Sequence, residues 1–133
     1  MTIQQQIQAA ETRITKLVFP HDANPLGTLY GGNALHWMDE VAFLTATRFT
    51  RRQVVTVSMD RVDFQVPIET GSIVEIVGHV TRVGTTSVTV EVKIYVEDPR
   101  SGEQQQAITG TLVMVAVDET MRPVKIESAT STR

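Results

Sequence analysis

Gly31-Gly32-Asn33-Ala34-Leu35-His36-Trp37-Met38-Asp39-Glu40-Val41-Ala42-Phe43-Leu44-Thr45-Ala46-Thr47-Arg48-Phe49-Thr50 is the stretch on which the fold turns. From Asn33 to about Thr50 it holds neither proline nor glycine and is apolar on more than one face. That pattern predicts a long helix. A helix lying on a surface needs only one apolar stripe, so one this greasy is expected to be surrounded. The simplest way to surround it is to set it inside a curved sheet.

The flanking sequence supplies that sheet. Before the helix, Thr12 to Phe19 alternates loosely and reads as a first strand, and Pro20 to Tyr30 reads as an irregular polar loop. After it, Gln53 to Phe64, Ser72 to Val83, Val88 to Glu97 and Gln104 to Asp118 read as strands. The clearest sets Val88, Val90, Val92, Ile94 and Val96 against Thr89, Glu91, Lys93, Tyr95 and Glu97. Pro67 with Gly71, Gly84, and Asp98 to Gly102 mark the breaks. The expected architecture is α+β, an antiparallel sheet around one helix, with the four later strands pairing through short turns. Beyond Glu119 the chain turns polar, and Ser128 to Arg133 is expected to fray.

A chain of 133 residues fits one domain, here 1–133 with its core in about 12–120. At 41% hydrophobic and 20% charged residues, disorder is not expected. No cysteine is present, which removes disulfides, thiolate zinc sites and a cysteine nucleophile. A net charge of −3 leaves no general footprint for nucleic acid. No apolar run approaches the roughly 18 residues of a membrane span. Met1 to Gln6 has neither a basic nor an apolar leader region. A soluble cytoplasmic domain is the expectation.

Two features of the helix invite chemistry. Asp39 and Glu40 fall in a segment expected to be largely buried, where an ionised carboxylate is costly without a partner. Either could point to solvent from a narrow polar stripe or serve a structural ion pair. Adjacent positions lie about 100° apart, so the two do not share a face. Glu40 goes with His36 and Thr47 on the more polar side. Asp39 goes with Gly32, Leu35, Ala42 and Ala46 in the stranger setting, and is the better catalytic candidate. Gly31-Gly32 at the helix start offers free amides and the positive end of the helix dipole, suited to polarising a carbonyl, or else is an ordinary turn. From Gly32 to Asp39 is roughly 10 Å along the axis at about 1.5 Å per residue. If both act on one bond, the simplest solution takes them from different subunits of a dimer.

Other groups are weaker candidates. His36, Asp39 and Glu40 have part of a metal-site spacing, but no second histidine lies four residues away. His79 reads as a packed or surface histidine on its strand, and no nucleophile elbow, phosphate loop or dinucleotide fingerprint is present. Arg51-Arg52 complements the helix dipole first and binds anions only second.

Phe19-Pro20-His21-Asp22-Ala23-Asn24-Pro25-Leu26-Gly27-Thr28-Leu29-Tyr30-Gly31-Gly32 followed by Trp37-Met38-Asp39-Glu40-Val41-Ala42 resembles the acyl-CoA thioesterases of the hotdog-fold superfamily. More narrowly it is similar to the YciA-type and cytosolic brain-type acyl-CoA hydrolases. Val54 to Phe64, Val83 to Ser87 and Val113 to Asp118 continue the likeness. The resemblance implies a double-hotdog homodimer, often assembled further into trimers of dimers, that hydrolyses acyl-CoA to a carboxylic acid and coenzyme A. It implies Asp39 as general base or nucleophile, Asn24 as its partner from the opposite subunit, and the Gly31 and Gly32 amides as the thioester-polarising site. Arg61, Arg82, Thr85, Thr86 and Ser87 become candidates for binding coenzyme A, which is substrate and product. No metal or redox cofactor is implied. An apolar acyl pocket is expected, bordered by helix residues such as Trp37 or Met38. The alternatives are a hotdog hydratase or dehydratase, whose usual histidine five residues after the aspartate is Leu44 here, and a non-catalytic acyl-CoA-binding module.

Overall fold

The alternation that reads so clearly after Val88 extends across the sheet. In this computed structural model, which describes residues 1–127, the strands are β1 (Thr12–Leu17), β2 (Val54–Phe64), β3 (Ile73–Val83), β4 (Ser87–Glu97) and β5 (Gln104–Ala116). The tail expected to fray, 128–133, lies outside the described residues. Val74, Ile76 and Val80 on β3, all four of Val88, Val90, Val92 and Ile94 on β4, and Leu112 and Met114 on β5 are buried on one face. Each such side chain contributes about 1.5–3 kcal/mol by leaving water.

The long helix begins at the glycines themselves. Here named α2, it runs Gly31–Thr50 and stops where Arg51 turns left-handed (φ 54°), its N–H donating to the Thr47 carbonyl at 2.7 Å. Across the sheet, Gly78, Val92 and Gly110 lie in register on β3, β4 and β5. This row is where α2 crosses closest. A β-carbon at Gly78 would collide with Thr45 and come within 2.8 Å of Val41, and one at Gly110 would meet Met38 at 2.7 Å. Two missing side chains thus let the helix bury Met38, Val41 and Thr45. The buried hydroxyls of Thr45 and Thr50 donate to the Val41 and Ala46 carbonyls one turn back, at 2.8 and 2.9 Å.

Three expectations need correction. Pairing through short turns holds for β3–β4 and β4–β5, but β2 pairs with β5 rather than β3, giving the antiparallel order β1-β3-β4-β5-β2. Alternation specifies which face a strand buries, not its neighbour, and the 65–72 connection carries the chain across.

The second correction is an additional helix, α1 (Ile3–Ala10), before β1. Thr2 and Gln5 form a reciprocal capping box, with Gln5 N–H donating to Thr2 Oγ1 at 3.1 Å and Thr2 N–H to Gln5 Oε1 at 2.8 Å. Ile3, Ile7 and Ala10 face the core. The Arg48 guanidinium donates to the carbonyls of Ala9 (2.8 Å) and Glu11 (2.7 Å), while Gln6 Nε2 donates to the Phe49 carbonyl at 3.1 Å. α1 is thereby seated on the far end of α2.

The third concerns the surroundings of α2. The sheet curls round it but does not close. Between the edge strands β1 and β2 a stripe with His36, Asp39, Glu40, Phe43 and Leu44 stays open, and Phe43 and Leu44 are 45% and 39% exposed. Apolar residues on more than one face are real, but the sheet covers only part of them.

Candidate active site

The gap between the two sheet edges is a groove of about 500 Å³, walled by Ile14 of β1, Thr56 of β2 and the stripe on α2. Asp39 sits half-buried within it. Its Oδ1 accepts a 2.6 Å hydrogen bond from Thr56 Oγ1. A hydroxyl-to-carboxylate bond this short is charge-assisted and fixes the carboxylate's rotamer. No hydrogen bond among the described residues engages Oδ2, which is left to act on a ligand. Glu40 reaches the same groove, contrary to the separation of faces expected from helix geometry, because the groove is wide enough to span both positions. It pairs with His36 one turn earlier (Nε2 to Oε2, 3.4 Å). His79, on β3, lies against Glu11 at 3.3 Å, the packed surface histidine expected.

Asn24 is the hub of the loop before the helix. Its Oδ1 accepts from the backbone N–H groups of Leu26 (2.9 Å) and Thr28 (3.1 Å), and its Nδ2 donates to Thr28 Oγ1 at 2.9 Å. The Gly27 N–H returns to the Asn24 carbonyl at 2.9 Å, with Gly27 at φ +83°. The side chain thus builds the loop and keeps one N–H of its amide for another acceptor. The Asp22 carbonyl ties this loop to the helix by accepting from Tyr30 N–H and Asn33 Nδ2, each at 3.0 Å.

At the helix start the first intrahelical bond runs from Ala34 N–H to the Tyr30 carbonyl (3.0 Å), so the Gly31 and Gly32 amides precede the ladder. Neither glycine has a positive φ. A β-carbon at Gly32 would meet nothing within 4 Å, and one at Gly31 only the Phe64 ring edge at an ordinary 3.6 Å. Neither backbone conformation nor packing within the chain therefore demands glycine there. The bare surface is open to whatever approaches the amides from outside.

Within one chain the two halves of the expected site stand apart. Asn24, Gly31 and Gly32 are not among the residues walling the Asp39 groove. The coenzyme A candidates are also dispersed. Arg61 is exposed in a left-handed bulge of β2 (φ 52°), beside the Thr109–Thr111 level of β5. The Thr85-Thr86-Ser87 turn sits at the Val115–Ala116 level instead, with the Thr86 carbonyl accepting from Ala116 N–H at 2.9 Å and the Thr85 carbonyl from Ile126 N–H at 2.8 Å. Five strand residues separate those levels by about 17 Å. Arg82 is exposed beside the register shift in β3. Trp37 and Met38 do not line the Asp39 groove: Met38 is fully buried in the core, and Trp37 faces a different cleft, under Lys16 Nζ at 4.9 Å from its ring. Thr56 is the residue that sequence reasoning missed. Nothing in its alternating strand marks it, since only the fold brings it to Asp39.

A sheet folded round one long helix, with a carboxylate held in the gap between the sheet's edges, defines a hotdog-fold protein. Residues 26–103 match the thioesterase superfamily, and the chain belongs to that family. It is 42% identical over 112 residues to YkhA of Bacillus subtilis, described as an uncharacterized acyl-CoA thioester hydrolase, covering 84% of this chain and 65% of that protein. It therefore spans less than two thirds of that relative's length. The acyl-CoA hydrolase of Staphylococcus aureus, solved with butyryl coenzyme A, coenzyme A and coenzyme A disulfide, superposes with a TM-score of 0.89 at 34% identity, covering 92% of this chain and 74% of that one. A hexameric acyl-CoA thioesterase superposes with a TM-score of 0.86 at 39% identity, covering 90% and 77%. Three other structures of the Staphylococcus enzyme each carry one replacement by alanine: of an asparagine, of an aspartate 15 positions on, and of a threonine 17 beyond that. Asn24, Asp39 and Thr56 stand at the same intervals.

Proposed function

We propose that this protein is an acyl-CoA thioesterase, hydrolysing an acyl-CoA thioester to a carboxylic acid and coenzyme A. The observation that carries the reading is the Asp39 carboxylate, held through one oxygen by Thr56 and left open through the other in the groove. The family and the matching intervals of Asn24, Asp39 and Thr56 support it.

In the proposed reaction Asp39 Oδ2 takes a proton from water as the water oxygen bonds to the thioester carbonyl carbon. The carbonyl oxygen gains the negative charge of the tetrahedral intermediate. The Gly31 and Gly32 amides and the remaining N–H of Asn24 Nδ2 stabilise it. Collapse breaks the carbon–sulfur bond, the electron pair leaves on sulfur, and the proton held by Asp39 passes to the thiolate. Water attack is preferred to direct attack by Asp39, which would form an anhydride. Coenzyme A is substrate and product, and the reaction calls for no other cofactor.

The active unit is a homodimer in which Asp39 of one protomer meets the Asn24 loop and helix start of the other. Three observations favour sharing: the two halves are apart within one chain, Phe43 and Leu44 lie uncovered beside Asp39, and β2 presents an unpaired edge. The hexameric relative supports further assembly into a trimer of dimers. In this reading the hydroxyls of Thr85, Thr86 and Ser87, with Arg82 and Arg61, bind the nucleotide end of coenzyme A, their separation within one chain favouring contributions from different protomers.

Thiol release from a series of acyl-CoA esters tests the reaction. Hydrolysis supports the proposal, whereas hydration without thiol release, or binding with neither, would replace it by the hydratase or binding-module alternative. Leu44 at the position where a hydratase would carry histidine weighs against the former. Co-expressed Asp39→Ala and Asn24→Ala subunits should regain about a quarter to a half of wild-type activity, since one site in each mixed dimer is intact. No recovery would count against shared sites.

A further inference from the structure

An acyl chain needs an apolar trench that begins where the thioester carbonyl is held. Trp37 and Met38, the helix residues expected to border it, line neither the Asp39 groove nor the pocket formed at the 65–72 connection, which folds back beneath the start of α2. Leu29 N–H donates to the Ile68 carbonyl at 2.7 Å, and Gln65 and Val66 N–H both donate to the Ala107 carbonyl, at 2.8 and 3.2 Å. These bonds satisfy the backbone and leave side chains to line the space between.

That space is a pocket of about 220 Å³ walled by Leu29, Phe64, Val66, Pro67, Ile68 and Ile108, with Thr28 on its rim. Leu29, Ile68 and Ile108 form a buried floor. The Phe64 ring stands at the mouth, 55% exposed, with its edge 3.6 Å from where a Gly31 side chain would begin. The pocket therefore opens beside the Gly31 amide. It also opens beside Thr28, whose hydroxyl accepts from Asn24 Nδ2. Through Phe64 and Thr28 it adjoins both groups assigned to the carbonyl oxygen, and no charged side chain lines it.

We infer that this pocket receives the acyl chain and that Phe64 is the residue setting how far the chain extends. The inference rests on the hydrolase reading above and names its substrate class: unsubstituted aliphatic acyl-CoA of short to medium length. A pocket of about 220 Å³ is large enough for a short to medium chain and too small for a long one lying wholly within it. A chain ending in a carboxylate is disfavoured, because its charge would be desolvated among aliphatic side chains without a partner.

The test measures kcat/KM by thiol release for straight-chain acyl-CoA esters from two to sixteen carbons, on the full chain and two variants. For the wild type, kcat/KM should rise about fourfold per methylene to roughly eight carbons and then fall. Phe64→Ala opens the mouth and should move that maximum at least two carbons longer. Val66→Phe fills the trench and should move it at least two carbons shorter. The readout is the ratio of long-chain to short-chain kcat/KM within each protein, which general loss of folded enzyme does not change. An active wild type whose maximum stays fixed in both variants, or variants that scale every chain length equally, would overturn the pocket assignment and leave the hydrolase reading intact. A wild type that releases no thiol from any ester would overturn both.

Discussion

One face of α2 is closed and the other is open. On the closed face Ala34, Met38, Val41, Ala42 and Thr45 press into strands that give up side chains at Gly78 and Gly110 to receive them, and all five are at most 1% exposed. Part of a turn away, Phe43 and Leu44 remain uncovered beside Asp39, whose side chain's only hydrogen bond among the described residues comes from an edge strand. The helix is thus fixed in place by one face and leaves the other open, the face on which the proposed chemistry and the proposed second protomer would meet. Substitutions on the closed face should read out as stability, and those on the open face as turnover.

Asp39→Asn is the strongest challenge to that division. It should cost about a hundred- to ten-thousandfold in kcat, the range a general base supplies, while the thermal midpoint moves by no more than about 2 °C. Comparable losses of stability and turnover would dissolve the distinction. Gly78→Val is the converse. Its side chain would collide with Thr45 and crowd Val41, destabilising the fold by about 3 kcal/mol and lowering the midpoint by roughly 10 °C, measurable by urea and thermal denaturation.

Thr56→Val sharpens the comparison, because it alters the open face without altering shape. Losing one charge-assisted bond to Asp39 should lower kcat about tenfold with KM nearly constant. A larger rise in KM than fall in kcat would assign Thr56 to substrate binding instead.

The smallest effect is expected far from both faces, at Asp118. The Thr120 hydroxyl, together with the backbone N–H groups of Arg122 and Thr120, holds this carboxyl below its ordinary value. A depressed folded-state pKa contributes stability above the unfolded value of 3.8, and that contribution disappears as pH falls through the folded-state value. Asp118→Asn should therefore lower the thermal midpoint slightly at neutral pH. The difference from wild type should vanish toward pH 3, with turnover unaffected throughout.

The elements of this fold are written locally, and its assembly is not. Side-chain alternation placed β3, β4 and β5 to within a residue or two at most ends, because period two follows directly from the pleat. The same alternation on β2 says nothing about whether β3 or β5 lies beside it, since either pairing buries one face. The signal for α1 is present but faint: Thr2-Ile3-Gln4-Gln5 carries a capping-box spacing and Ile3, Ile7 and Ala10 a helical stripe, but the glutamine-rich segment holds little apolar surface. Asp39 stood out because a carboxylate in an apolar helix is costly. Thr56 did not, because a threonine in a strand is ordinary until a carboxylate comes within 2.6 Å of it. The apolar trench under Phe64 is likewise a product of tertiary folding, assembled from Leu29, three residues of the crossover connection and Ile108.

The seating of α1 on α2 bears on how the protein breathes. Arg48 and Gln6 tie the two helices at the end remote from Asp39, about 15 Å away at ten residues of helical rise. The long helix is therefore moored at its stern. Thermal fluctuation that peels α1 away would loosen the last turn, near Phe49, before it disturbed the glycine bow, so cleavage of the first ten residues should cost heat tolerance well before it costs catalysis.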